Sequence, residues 1–233
     1  MDDRFILIRN YDLFAHITDE EYEELNLLHN FIEAGKGEYI YFDSHYLNKL
    51  YFIKKGCIKI GYVDADGTEV IKEIIERGEI FGQFSLEKNN LAGEFAIAHK
   101  TDVSLCAFTT EDFEKLLYKK PQLAIAFSKQ VGQKFRKLEN RLHNLLNKNV
   151  RTRLINFLLH LIDANKNAGD SAGEKICIPN YLTHEDIACL IGSSRQTVTT
   201  VINELTALHL LSFNRQQICF LNVKELRNSA DVA

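Results

Sequence analysis

Two neighbouring side chains, Arg195 and Gln196, have the chemistry needed to read bases in double-stranded DNA. An arginine can donate paired hydrogen bonds to guanine O6 and N7, and a glutamine can pair in the same way with adenine N6 and N7. Hydroxyl groups and the backbone N–H groups at a helix N-terminus can hold phosphate oxygens. The predicted DNA contacts are Thr183, Ser193, Ser194, Arg195, Gln196, Thr197, Thr199, Thr200 and Arg215.

Two short helices joined by a tight turn are predicted by the segment LTHEDIACLIGSSRQTVTTVINELTALHLL, residues 182–211. Thr183 is suited to cap the first helix, and Asp186 in its first turn favours the positive end of the helix. Gly192 permits the sharp turn that follows. The apolar residues expected to pack the helices together are Ile187, Leu190, Ile191, Val198, Val201, Ile202 and Leu205.

Ser193 and Ser194 can both cap the second helix, and Ser193 with Gln196 is expected to form a capping box. Its outward face then carries Arg195, Gln196, Thr199 and, one turn later, Asn203. An ordinary helical hairpin with a polar exposed face is the alternative. A solvated face usually mixes glutamate with lysine, whereas this one has uncharged hydrogen-bonding residues and one arginine, which favours DNA reading.

The distribution of charge separates the chain into two parts. The net charge of the whole chain is −4, which by itself argues against a nucleic-acid partner. Residues 148–233 carry nine Lys/Arg against eight Asp/Glu, so this part is at +1 and the remainder is at −5. Residues 148–233 can therefore still form a local basic surface.

Short extended runs broken by glycine fill residues 31–108. β-branched and aromatic residues dominate them, and Asp66-Gly67 is a signal for a two-residue hairpin turn. Many short strands with frequent turns predict an antiparallel barrel or sandwich. Thr18 with Glu21 predicts a small helix that leads into these strands.

A long helix follows the strands. Thr110 is expected to cap a short helix and Pro121 to begin the long one, whose apolar residues recur every seven positions. A helix packed on its own barrel is the alternative, but its apolar stripe would be broader. The seam therefore predicts dimerisation. The predicted dimer contacts are Ala124, Val131, Phe135, Leu138, Leu142 and Leu145.

The remaining segments are a helix, VRTRLINFLLHLIDA, a short extended ICIP, and a small hairpin around residues 214–216. The five cysteines are widely spaced without a CxxC pair, so we expect five buried thiols, with no disulfide framework and no structural zinc, in a reducing cytoplasm. The acidic start MDDRFILIRN does not predict a secretory signal, and no apolar run reaches the length of a membrane span.

The DxxG hairpin and GEIFG of the strands, the long helix, and LTHEDIACLIGSSRQTV followed by a small hairpin together resemble the Crp/Fnr family of bacterial transcription regulators. The resemblance covers nearly the whole chain, in order. It implies an α+β chain with an N-terminal double-stranded β-helix (a cyclic-nucleotide-binding-like β-roll) as sensor domain over 1–118, a dimerisation helix over 119–147 and a winged helix-turn-helix DNA-binding domain over 148–233. It also implies a homodimer that binds an inverted repeat in promoter DNA and influences RNA polymerase.

The resemblance carries over to individual residues of the second helix. Arg195 matches the guanine-reading arginine of the family, whereas Gln196 stands where many members have glutamate. Thr200 replaces a common arginine, which removes one charge. Ser193 and Thr197 match positions that contact the phosphate backbone. The base preference beside the guanine is therefore expected to differ from that of many members.

In members that bind cyclic AMP, the segment that resembles residues 78–98 supplies a glutamate for the ribose and an Arg-Ser pair for the cyclic phosphate. Here Gln83 replaces the glutamate, and Glu94 would set a carboxylate against the phosphate at a cost of several kcal/mol. Leu138 and Glu139 replace small hydroxyl residues that meet the purine. The candidate effector pocket comprises Gly82, Gln83, Phe84, Glu94, Phe95, Leu138 and Glu139. These departures predict a sensor domain that does not respond to cyclic AMP.

No other cofactor is expected. The oxygen-sensing members hold an iron–sulfur cluster on N-terminal cysteines, and this chain has none before Cys57. A haem would need an axial ligand, for which the isolated histidines His16, His29, His45 and His99 are weak candidates. An uncharacterised cationic or neutral effector, or no effector at all, remain as alternatives.

Two other classes of function are compatible with parts of the sequence. Metal-dependent enzymes of the cupin type share the barrel, but they need paired histidines and a carboxylate on neighbouring strands, and no HxH or GxxxxGK motif occurs here. We therefore expect no enzyme and no metal site. A ligand-sensing adaptor that acts through protein contacts, without reading DNA, is the alternative function.

Overall fold

The computed structural model describes residue 18 and residues 29–42, 48–82, 84, 93–164 and 175–231. The chain forms two compact units, Met1–Arg136 and Lys137–Ala233. The predicted lead-in helix after Thr18 lies outside the described residues, as do His16, His45 and Gln83. The three predicted domain ranges stay a prediction.

The first unit contains two antiparallel four-stranded sheets, in the orders β1-β8-β3-β6 and β2-β7-β4-β5. The strands are β1 (His29–Ala34), β2 (Tyr39–Phe42), β3 (Lys49–Lys55), β4 (Cys57–Val63), β5 (Glu69–Glu76), β6 (Ile80–Gly82), β7 (Glu94–Ala98) and β8 (Val103–Thr109). Alternate residues such as Ile58, Ile60 and Leu105 face a common apolar core. This is the predicted double-sheet roll.

The hairpin between β4 and β5 is present, but its predicted two-residue turn is wrong. Asp64 N–H donates to the Thr68 carbonyl at 3.0 Å, so three residues separate the paired ends. Asp64 Oδ1 accepts from the N–H groups of Asp66 and Thr68 at 3.0 and 2.8 Å, and Gly67 has φ +80°. The aspartate side chain stabilises this longer turn, and glycine permits its left-handed residue.

Helices α1 (Thr110–Lys119) and α2 (Pro121–Asn147) follow β8. The cap of α1 is Thr109 and not Thr110, because Thr109 has the extended backbone of a cap and its hydroxyl accepts from Asp112 N–H at 3.1 Å. Pro121 begins α2 as predicted. Within the first unit, Leu123 and Phe127 of α2 are buried in the core, and Val131 packs against it.

The early and late residues of the predicted α2 seam therefore differ in burial. Its early member Val131 lies against the roll, as the alternative of a helix packed on its own barrel would have it. Its later members remain exposed: Phe135 by 61%, Leu138 by 57%, Leu142 by 57% and Leu145 by 38%. Ala124 is half-buried. The apolar stripe left uncovered in the single chain is thus the second half of the helix.

The second unit consists of helices and a small sheet. Its elements are α3 (Val150–Ala164), β9 (Ile176–Pro179), α4 (His184–Ile191), α5 (Arg195–Ala207), β10 (Leu211–Phe213), β11 (Gln217–Phe220) and α6 (Val223–Asp231). The antiparallel sheet has the order β10-β11-β9. The predicted helix before the loop, the two-helix motif and the final hairpin are all present. The core of the unit includes Leu154, Leu158, Val198, Leu205, Phe220 and Leu226.

The expectation of five unpaired thiols is wrong. Cys177 and Cys219 form a disulfide, because β9 and β11 place them directly opposite each other with Cα atoms 4.0 Å apart. Cys177 is exposed rather than buried, and Cys189 is half-buried. Cys57 and Cys106 are buried thiols as expected, and burial raises the pKa of Cys106. Over the described ranges, no helix is both long and apolar enough to cross a membrane.

Candidate nucleic-acid interface

A reciprocal capping box begins α4. The Thr183 hydroxyl accepts from Asp186 N–H at 3.1 Å, while Asp186 Oδ2 accepts from Thr183 N–H at 2.8 Å and from the Thr183 hydroxyl at 2.7 Å. Asp186 is only 5% exposed. The box satisfies N–H groups that would otherwise lack partners, so Thr183 and Asp186 fix where α4 begins.

Gly192 forms the turn between α4 and α5. Its φ of +66° lies in the left-handed region, and a Cβ there would stand 2.6 Å from Leu145 Cδ2. Its carbonyl accepts from Arg153 Nη2 at 2.9 Å, and Ser193 N–H donates to the Ala188 carbonyl at 2.9 Å. Glycine suits the left-handed backbone conformation, and any larger residue there would have to displace the end of the Leu145 side chain.

The cap of α5 is Ser194, whose hydroxyl oxygen accepts from Thr197 N–H at 3.1 Å. The predicted capping box of Ser193 with Gln196 is wrong, because Ser194 has the extended backbone of a cap and the residue three positions later is Thr197. The Ser194 and Thr197 hydroxyl oxygens are also 2.8 Å apart. These two predicted phosphate contacts are thus held by the first turn of the helix.

Helix α5 buries one side and exposes the other. Val198, Val201, Ile202 and Leu205 are buried, as predicted. The exposed side presents Arg195, Gln196, Thr197, Thr200 and Asn203, with Thr199 half-buried beside them. The structure therefore brings the two predicted base-reading side chains together on the first turn of an exposed helix face, which is the placement that reading a DNA groove needs.

The hydroxyls of the threonines on this face are already engaged. Thr199 Oγ1 donates to the Arg195 carbonyl at 2.8 Å, and Thr200 Oγ1 donates to the Gln196 carbonyl at 3.1 Å. A hydroxyl has one proton, so donation to a phosphate would require each side chain to give up its helix bond. Thr199 and Thr200 are thus bonded to the backbone of α5, whereas Arg195 and Gln196 are exposed on the same face.

His184 is a residue of this face that sequence reasoning missed. Its Nδ1 lies 2.8 Å from Thr199 Oγ1, and its ring centroid is 5.0 Å from that of Phe213 on β10. Burial, and secondarily the nearby Arg195 guanidinium, lower the pKa of His184 below its ordinary value. The signal available in the sequence was the place of a histidine directly after the cap Thr183, at the start of the helix.

The hairpin of β10 and β11 holds Arg215 at an exposed position in its turn. Asn214 Oδ1 accepts from Gln216 N–H at 2.8 Å and from Gln217 N–H at 2.9 Å. Asn180 Nδ2 donates to the Asn214 carbonyl at 2.6 Å. The turn, and hence the backbone that carries Arg215, is anchored to the segment that leads into α4.

The candidate effector residues of the roll are engaged within it. Glu94 is 7% exposed; the Tyr41 hydroxyl donates to its Oε1 at 2.8 Å, and the Lys72 ammonium donates to its Oε2 at 2.7 Å. Burial, together with the Glu94 charge and hydrogen bond, strongly raises the pKa of Tyr41, so its hydroxyl stays a donor. Both carboxylate oxygens of Glu94 thus have partners inside the roll.

The other candidate effector residues have close packing contacts in the first unit or lie exposed on α2. Gly82 has φ +104°, and a Cβ there would clash with the Lys49 carbonyl oxygen. Phe84 stacks on Phe127, and Phe95 is 1% exposed. Leu138 and Glu139 are exposed and belong to the second compact unit. Among the described residues, no group of three or more potential metal ligands comes together.

Comparison with known proteins gives the same two parts. Residues 31–120 match the model of the cyclic nucleotide-binding domain, and residues 152–229 match that of the Crp-like helix-turn-helix domain. The chain is 28% identical to the global nitrogen regulator of Nostoc over 77% of this chain and 79% of that protein. It is 25% identical to the cAMP-activated global transcriptional regulator CRP of Pasteurella multocida over 72% and 79% of the two chains.

A solved structure shares the fold. The CooA mutant from Carboxydothermus hydrogenoformans aligns with a TM-score of 0.75 and 21% identity, covering 95% of this chain and 97% of that one. The predicted roll, long helix and winged helix-turn-helix are thereby confirmed. The two family models and these relatives, which are transcription regulators and not enzymes, show that the chain belongs to the Crp/Fnr family of bacterial DNA-binding transcription regulators.

Proposed function

We propose that this regulator binds promoter DNA as a homodimer and reads an inverted repeat with two copies of α5. The observation that carries the proposal is the exposed first turn of α5, where Arg195 and Gln196 stand beside a helix N-terminus capped by Ser194. Two recognition helices related by two-fold symmetry enter successive major grooves about 34–36 Å apart. The operator is therefore a pseudo-palindrome.

Arg195 reads one guanine in each half-site through paired hydrogen bonds, and Gln196 reads an adjacent base. A bidentate pair contributes roughly 1–3 kcal/mol of discrimination against the wrong base. Ser193, Ser194, Thr197 and Arg215 hold the phosphate backbone and set the register of the helix. Thr183 fixes the start of α4 through its capping box. Thr199 and Thr200 support the first turns of α5 through their bonds to the carbonyls of Arg195 and Gln196.

The dimer forms through the exposed second half of α2. Phe135, Leu138, Leu142 and Leu145 follow the spacing of a coiled-coil seam and are 38–61% exposed in the single chain. A second copy of the same helix covers this stripe with a matching stripe, because a two-fold interface is self-complementary. Ala124 and Val131, nearer the roll, contribute less to it.

Selection from random DNA by the purified protein, without added ligand, tests the DNA proposal. We expect a pseudo-palindrome with one invariant guanine per half-site, and we expect Arg195→Ala to lose discrimination at that guanine alone. A mutant that ranks all half-site variants as the wild type does would refute the role of Arg195. An adaptor acting only through protein contacts would select no sequence and show no steep dependence of binding on salt.

The roll does not respond to cyclic AMP in this proposal. The buried Glu94 carboxylate, already bonded by Tyr41 and Lys72, would have to accept a phosphate as neighbour, and like charges in a partly dry site repel each other. Calorimetric titration with cyclic AMP should give no heat of binding, and micromolar affinity would overturn this part. Iron–sulfur clusters, haem and metals are likewise not part of the proposed mechanism.

The partners proposed for the intact regulator are promoter DNA, a second copy of the chain and RNA polymerase, in the cytoplasm. An unidentified small-molecule effector is compatible with the roll. Retention of RNA polymerase on the selected operator, with and without the regulator, tests the contact with polymerase. Equal retention in both cases would remove polymerase from the proposal.

A further inference from the structure

The contact between His184 and Thr199 determines which nitrogen of the histidine ring carries a proton. Thr199 Oγ1 lies 2.8 Å from the Arg195 carbonyl oxygen, which can only accept, so the single hydroxyl proton is donated there. Thr199 Oγ1 must then accept from His184 Nδ1, which lies 2.8 Å away on the other side. His184 Nδ1 is therefore the protonated nitrogen of the neutral ring, and Nε2 carries the lone pair.

This chain of bonds runs from α4 through α5 to the backbone of the base-reading residue. His184 Nδ1–H donates to Thr199, and Thr199 donates to the carbonyl of Arg195. The ring also packs on Phe213 of β10, so one side chain touches all three parts of the winged motif. The half-buried ring is held in place while its Nε2 edge points away from the Nδ1 bond.

The charges around the ring disfavour a second proton in the free protein. Burial of the ring disfavours an imidazolium first, the Arg195 guanidinium on α5 repels it, and the ring stands at the positive N-terminal end of α4. Phe213 on β10 is uncharged. On α4 itself, Glu185 is exposed, and Oδ2 of the Asp186 carboxylate is held by the capping box. A DNA phosphate at this face reverses the balance, because it attracts the same positive charge.

We propose that His184 is a proton-linked contact to the DNA backbone, in which Nε2 takes up a proton from solvent as the complex forms and donates it to a phosphate oxygen. The proposal rests on the proposed DNA-reading role of α5. Nδ1 keeps its bond to Thr199 throughout, so the contact forms without moving Arg195. Binding of operator DNA is then coupled to the uptake of one proton per half-site.

The direction of the pH dependence follows from this coupling. Burial and then the Arg195 guanidinium lower the pKa of His184 in the free protein, and in this proposal a neighbouring phosphate raises it in the complex. At a pH below the pKa of His184 in the free protein, the ring is charged both in the free protein and in the complex, and the affinity for DNA is highest. Affinity falls as pH rises between the two pKa values, and above the pKa of the complex it reaches a lower plateau. Each unit between the two pKa values corresponds to about tenfold in affinity per ring.

The test measures the Kd of the full-length protein for its selected operator between about pH 6 and about pH 8 at several salt concentrations. We expect wild-type affinity to be at least about tenfold higher at the acidic end for the two rings together. We expect the slope of log K against log salt to steepen there by about 0.9 for each phosphate gained. Sequence-specific binding that does not change with pH would overturn the inference while leaving the proposed function intact.

Two variants make the assignment specific to this residue. His184→Asn keeps a donor near the Nδ1 position but cannot be charged, so it should show a flat pH profile at the weaker plateau. His160→Asn, on an exposed site of α3, is the matched control and should keep the wild-type profile. A pH profile of His184→Asn equal to that of the wild type would overturn the inference.

A direct titration keeps the inference testable if His184→Asn folds poorly. The His184 ring signals of the wild-type protein, followed by NMR with and without operator DNA, should give a higher pKa in the complex. An unchanged or lowered pKa in the complex would overturn the proton-linked contact. Failure to select any operator at any pH would instead refute the DNA-reading role on which it rests.

Discussion

The exposed half of α2 gives a prediction whose size follows from the structure. Leu142 is 57% exposed in the single chain. Complete burial of a leucine side chain contributes about 1.5–3 kcal/mol, so covering the exposed part contributes roughly 1–1.5 kcal/mol. A two-fold interface contains the residue twice. Leu142→Ala should therefore weaken the dimer by roughly 2–3 kcal/mol, which raises its dissociation constant by about 30- to 150-fold.

Ile125 provides a matched control on the same helix. It is 59% exposed, nearly as much as Leu142, but it lies outside the seven-residue seam. Ile125→Ala should leave the dissociation constant within about threefold of wild type, since surface substitutions usually change stability by less than about 0.5 kcal/mol. Sedimentation over a concentration series measures both variants. Equal effects of Leu142→Ala and Ile125→Ala, or no effect of either, would refute the seam as the interface.

Two further predictions concern the DNA-binding unit. Gly192→Ala should lower the free energy of unfolding of this unit by about 1–3 kcal/mol, because of the positive φ and the contact with Leu145. Gly132→Ala, within helix α2, should instead raise the stability of the protein slightly, and urea titration of both variants measures the difference. Reduction of the disulfide, which closes a separation of 42 residues, should lower stability by about 2–4 kcal/mol in calorimetry. A Cys177→Ser, Cys219→Ser double variant that still responded to reductant would contradict the second.

Local signals account for most of what the sequence predicted correctly. The predicted helix VRTRLINFLLHLIDA has the bounds of α3, Val150–Ala164, and at its start the Asn149 side chain accepts from Thr152 N–H at 2.8 Å, a cap that the sequence carries locally. Helix α6 was missed, although the same kind of signal was present. Asn222 accepts from Glu225 N–H at 3.1 Å and donates to its carboxylate at 3.0 Å, a cap that the spacing N-x-x-E could have indicated.

Features that depend on pairing between distant residues were not predictable in the same way. Cys177 and Cys219 are 42 positions apart, and only the register of β9 with β11 sets them opposite each other. The tautomer of His184 depends on a hydroxyl 15 residues away and on the carbonyl to which that hydroxyl donates. Spacing along one helix predicts a face, whereas these contacts require the tertiary arrangement of several elements.

The charges of the DNA-binding unit indicate why dimerisation should matter for affinity. Arg151 pairs with Glu204 at 2.8 Å, and Arg153 donates to the carbonyls of Leu145, Lys148 and Gly192, so these two cations support the fold. With a near-neutral unit and few cations on the reading face, one half-site gains little from neutralised phosphates. A linked second half-site instead binds at a high effective concentration, which can raise affinity by about 10²–10⁴-fold. Disruption of the α2 seam should consequently weaken operator binding more than loss of any single phosphate contact.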